Sequence, residues 1–154
     1  MSRKVSRSLI GLCAGVVLLL IGGCPYTFTV LYPTAMQTTS QDFQLDNGKI
    51  VIRVTFSQPV DMSSLIAGTN VILVTETDPN ANITITAGTT AADILITTVD
   101  DASDLLNFDP DGFFTLRLLG SGANPIKSST GEVLDGDGDG TAGGNYETTF
   151  VLIG

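Results

Sequence analysis

Three features of this 154-residue chain predict an all-β fold. Beyond Pro25, short runs rich in Thr, Val and Ile alternate apolar with polar residues. Clusters of Gly, Pro, Asp and Asn separate those runs, as turns require. No long stretch repeats apolar residues at the 3.6-residue period of an amphipathic helix. Seven runs of this kind predict an antiparallel β-sandwich of immunoglobulin type. A closed barrel fits the same alternation, since periodicity reports a buried face and not how sheets close.

Taken in order, Tyr26–Tyr32 alternates aromatic or apolar residues with Thr and stops at Pro33. Residues 34–48 are polar and read as a turn-like connection ending in Asp46-Asn47-Gly48. Lys49–Phe56 is the clearest strand. Ile50, Ile52, Val54 and Phe56 face one way and Lys49, Arg53 and Thr55 the other, the pattern of a sheet with one wet face. Pro59 breaks it. Further strands are expected at Asn70–Glu76, Asn82–Ala87, Asp93–Val99, Gly112–Leu119 and Asn145–Ile153. In the last two, Phe114, Leu116, Leu118 and Phe150 belong to the apolar side. Residues 63–67 and 102–106 each have room for one helical turn.

The N-terminus is of a different kind. Arg3, Lys4 and Arg7 make a positive start, and Leu9–Gly23 is uncharged and rich in Leu, Val and Gly. That run is short for a bilayer span, which needs roughly 17–25 apolar residues. Extending it would bury Pro25 in mid-helix. Leu20-Ile21-Gly22-Gly23-Cys24, with small residues just before a cysteine, resembles the lipobox of bacterial lipoproteins. The resemblance implies that residues 1–23 are a signal peptide and that Cys24 is the first mature residue. It also implies a diacylglyceryl thioether on the Cys24 sulfur and an acylated α-amine. Two or more acyl chains anchor stably where one does not. Pro25 after the lipidated cysteine, in place of the Asp associated with inner-membrane retention, favours the outer membrane. The expected organisation is a signal peptide over 1–23, a tether or first strand over 24–45, and the sandwich over 46–154.

Composition removes several chemistries. Without the leader, four basic residues (Lys49, Arg53, Arg117, Lys127) stand against sixteen acidic ones, a net charge of −12. Such a field repels phosphate backbones, so nucleic acid is not an expected partner. The chain has no His, and its only cysteine outside the leader is Cys24. Ser-His-Asp and Cys-His nucleophile systems are therefore excluded, as are His/Cys zinc sites and an internal disulfide in the mature chain. Carboxylates remain, but no acid pair is singled out by its context, so no enzymatic activity is expected.

One motif asks for a ligand. Asp135-Gly136-Asp137-Gly138-Asp139-Gly140 places carboxylates at alternate positions with glycines that let the chain curl. Three converging anions favour a hard, oxygen-seeking cation such as calcium. The run resembles the start of an EF-hand loop, with Asp135, Asp137 and Asp139 at its first three ligand positions and the Thr141 carbonyl at the fourth. The pattern then fails, because Tyr146 stands where the bidentate Glu belongs and Glu147 comes one residue late. A β-loop calcium site completed by Glu147, Asn145 or a distant carboxylate stays open beside a plain solvated Asp-Gly turn. Asp100, Asp101, Asp104, Asp109 and Asp111 form a second acidic group.

A second resemblance lies in the strands. Lys49-Ile50-Val51-Ile52-Arg53-Val54-Thr55-Phe56-Ser57-Gln58-Pro59-Val60-Asp61 is similar to the second strand of the bacterial Ig-like domains of S-layer and other surface proteins. Asp111–Leu118 sits where that family has its penultimate strand, and Ile126–Leu134 where it connects to the last one. The likeness spans roughly residues 45–153. It implies an extracytoplasmic, non-catalytic module, used as spacer or adhesive unit in the cell envelope. The alternative is a lipoprotein that binds an envelope glycan or protein.

Overall fold

The computed structural model describes residues 36–107 and 111–153. The leader, Cys24 and the Tyr26–Tyr32 run lie outside those residues. Among the described residues, seven strands form two antiparallel sheets: β1 (Thr38–Asp46), β2 (Lys49–Phe56), β3 (Val71–Thr75), β4 (Ile83–Ala87), β5 (Asp93–Thr98), β6 (Asp111–Leu119) and β7 (Asn145–Ile153). One sheet has the order β1-β2-β5-β4 and the other β3-β6-β7. This four-plus-three order is the arrangement of an immunoglobulin constant-type sandwich. The barrel alternative falls away, because the described strands form two separate sheets that do not close on one another.

The alternation read from Lys49–Phe56 is the alternation the fold uses. Ile50, Ile52 and Val54 are fully buried and Phe56 nearly so, whereas Arg53 is exposed. Ile94 and Ile96 from β5 extend that layer, and Val71, Leu73, Phe114, Leu116 and Leu118 from the other sheet close on it. Met36, Ile126 and Leu134 belong to the same core, as do Ala102, Leu105 and Leu106. The buried Thr98 hydroxyl accepts the Ile50 backbone N–H at 3.0 Å, so its burial leaves no unmade bond.

One expectation is overturned. Residues 38–46 are not a turn-like connection but a nine-residue edge strand, paired with β2 from Thr38↔Phe56 to Asp46↔Lys49. Its composition hides it, because an edge strand half open to water needs few apolar residues. Phe43 and Leu45 are the apolar members of its core-facing side, and Leu45 is itself exposed. The readable signal was the turn. Asn47 and Gly48 adopt φ of 49° and 80°, the paired positive values of a two-residue hairpin, and such a hairpin needs a strand on each side.

The helical turn expected at 102–106 is present, whereas the one expected at 63–67 comes earlier and is shorter, with Leu65 already extended. Asp61 caps a 3₁₀ turn at Met62–Ser64, its Oδ1 accepting from the Ser63 N–H at 2.9 Å and hydroxyl at 2.7 Å. The Ser63 hydroxyl and N–H hold the Asp61 carboxyl below its ordinary range. A short helix α1 (Ala102–Leu105) donates its Ala102 N–H to the Gly48 carbonyl, seating the β1–β2 hairpin.

Candidate metal centre

The β6–β7 connection carries the Asp-Gly run, and the buried carboxylate of Asp135 organises it. Asp135 follows Leu134, whose side chain is fully buried. Its N–H donates to the Met36 carbonyl at 2.8 Å, fixing the loop against the start of β1. Around its carboxylate the chain wraps three backbone donors. The N–H groups of Gly138 (2.9 Å) and Asp139 (3.2 Å) reach Oδ1, and that of Gly140 (2.9 Å) reaches Oδ2. Gln37 Nε2 supplies a fourth bond to Oδ2 at 2.8 Å. Turning successive N–H groups inward takes left-handed backbone at Gly138 (φ 73°) and Gly140 (φ 87°), which glycine adopts without penalty.

This explains how an Asp side chain tolerates 2% exposure. A carboxylate withdrawn from water is costly unless its lone pairs are filled, and here four donors fill them. The same donors hold its carboxyl below the ordinary carboxylate range, the Gln37 amide contributing most and burial opposing.

Asp137 and Asp139 are exposed, and carboxylate oxygens of all three aspartates lie within 4.8 Å of one another. Asp139 Oδ1 accepts the Thr141 N–H at 2.7 Å, which aims it. Asp137 folds back over Gly144, where a side-chain carbon would come within 2.5–2.6 Å of its carboxyl atoms. Gly144 thus makes room for that carboxylate. Two unit charges at this separation repel by about 1 kcal/mol even in water, and more where water is partly excluded. Oxygen-only, anionic and converging, the group can hold a metal ion.

The other expected ligands are directed elsewhere. Glu147 lies on β7 opposite Arg117, with Oε2 2.6 Å from the Arg117 Nε. The Asn145 side chain accepts the Ser121 hydroxyl at 2.9 Å. Thr141 takes part through its N–H. In the second acidic group, Asp101 pairs with Lys49 at 2.7 Å, Asp109 lies outside the described residues, and no metal-binding convergence is found there among the described residues. Cys24, the expected lipidation site, also lies outside them.

No family model matches this chain, and neither does any curated protein. Among the described residues, no helix is long and apolar enough to cross a membrane. The residue that sequence reasoning missed is Gln37. It stands 98 positions from Asp135, and no local pattern joins them.

Proposed function

We propose that this chain is a lipid-anchored, extracytoplasmic Ig-like module of a bacterial cell envelope, with a structural or adhesive role and a calcium ion stabilising its β6–β7 loop. The observation that carries the reading is the order of the sequence. A basic-then-apolar leader closes on Ile21-Gly22-Gly23-Cys24, and the strands of a β-sandwich follow from Thr38 onward. Charge composition supports it, since an acidic domain tethered by acyl chains stays soluble beyond the membrane that holds it. Function then resides in position and surface.

The lipid anchor is tested by Cys24→Ser. Intact-mass spectrometry of the wild type should show residues 1–23 removed and an acylated N-terminus. The variant should keep the leader or lack the lipid. A variant processed and retained in membranes like the wild type overturns the anchor.

For calcium, Asp135 already spends its lone pairs on four donors, so Asp137 and Asp139 carry most of the binding. Weak affinity follows, on the order of 10⁻⁴–10⁻³ M as in extracellular modules. At about 10 mM calcium, linkage then stabilises the fold by roughly 1.4–2.7 kcal/mol, a rise in Tm of roughly 5–10 °C. Magnesium should do less, because it demands tighter octahedral geometry. The measurement is a melt of residues 25–154 in chelator and in calcium, repeated with Asp137→Ala. The variant should lose the calcium response, and a calcium-insensitive wild type would leave this run as a turn built around Asp135.

A further inference from the structure

We propose that the edge of β7, unpaired among the described residues, is a self-association surface, through which two copies pair β7 with β7 antiparallel and join their three-stranded sheets into one. Among the described residues, four strands end a sheet: β1, β3, β4 and β7. β3 and β4 are five residues each, too short to template much. β1 is longer, but its register slips between Thr38 and Ser40, and it carries Asp42 and Asp46. β7 pairs with β6 over nine residues without a slip and contains no proline or lysine. Its one charge, Glu147, is matched by Arg117 at 2.6 Å. Natural edges are blunted by shortness, bulges, prolines and unmatched charge, and β7 has none of these.

The backbone polarity of this edge follows from one bond. Gly120 donates its N–H to the Gly144 carbonyl, so residue 144 faces β6, and by alternation so do 146, 148, 150 and 152. The N–H and C=O groups of Glu147, Thr149 and Val151 therefore point outward, with no backbone partner among the described residues. The outer face of the same sheet carries exposed apolar side chains beside this edge. Phe113 and Val151 are register partners on β6 and β7, each 52% exposed.

Register decides between a second copy and a foreign strand. With Thr149 opposite Thr149 of the second copy, Glu147 meets Val151, Tyr146 meets Leu152 and Thr148 meets Phe150. No like charges face each other, although each whole chain carries −9. A basic foreign segment gains little here, because Arg117 already occupies Glu147. Long-range repulsion between acidic copies makes the pairing stronger as salt rises.

The test is sedimentation equilibrium of the full chain in density-matched detergent, from about 1 to 100 µM. A dimer is expected. Thr149→Pro removes an outward N–H and spares the β6 ladder, so it should give a folded monomer. Val151→Glu sets like charges opposite each other at two symmetry-related places and should weaken the dimer on the order of tenfold. Val151→Lys sets opposite charges there and should leave it as tight or tighter. A monomeric wild type overturns the proposal, as does a dimer indifferent to Val151→Glu, or one weakened equally by Glu and Lys. Should Thr149→Pro fail to fold, the opposed signs at Val151 still decide.

Discussion

Phe114→Ala should destabilise the domain by about 3–5 kcal/mol, whereas its neighbour Phe113→Ala should cost well under 1 kcal/mol. The two residues are adjacent on β6 and differ in the face they occupy. Phe114 is fully buried and Phe113 is 52% exposed. Phe114 also joins the two sheets. Its ring stacks on Phe150 of β7, with centroids 5.1 Å apart, and meets Phe43 of β1 edge-on at 5.3 Å. Truncation leaves a cavity and strips a partner from each of two half-buried rings. Against a total stability of about 5–15 kcal/mol, that loss leaves many molecules unfolded. Denaturant melts of both variants read it directly, and hydrogen exchange should show β1 and β7 loosening first. Equal losses at the two positions would mean that the face assignment is off by one residue.

Gly120→Ala should be nearly as damaging, at about 3 kcal/mol, and for a different reason. A side-chain carbon there would lie 2.2 Å from the Leu134 carbonyl oxygen, 2.6 Å from that of Gly144 and 2.9 Å from that of Gly143. None of these is the far end of a flexible side chain. All three oxygens accept backbone bonds, from Gly143, Gly120 and Gly136 respectively, so relief must break the packing that seats the aspartate loop. Gly122 is the control. It has left-handed φ but no atoms within 4 Å of an added carbon, so Gly122→Ala should carry only backbone strain of about 1 kcal/mol. Calcium protection should fall with Gly120→Ala and survive Gly122→Ala. A wild-type melt for Gly120→Ala sinks the close approach of strand end and loop.

Much of the fold was legible because its determinants are local. β2 and β7 begin and end where alternation and turn residues place them, at Lys49–Phe56 and Asn145–Ile153. The inward set of β2 follows from a side-chain period of two, which no tertiary contact can alter without a slip in register. The Asp-Gly run was legible as a curled acidic loop, because glycines at alternate positions permit the left-handed turns seen at Gly138 and Gly140.

What the sequence by itself determined, then, is the β class, the buried face of the central strands, the acidic loop and the chemistries that a chain without His lacks. Tertiary structure alone decided three things. It made residues 38–46 a strand, since an edge position against β2 asks for backbone pairing rather than apolar side chains. It sent Glu147 to Arg117, because cross-strand register sets which residues meet. And it buried Asp135 beneath Gln37, 98 residues away, where the donors that satisfy a desolvated carboxylate come from a part of the chain no local pattern can see. Local periodicity chooses which way a side chain faces, whereas its partner is chosen by strand order and packing between segments far apart in sequence.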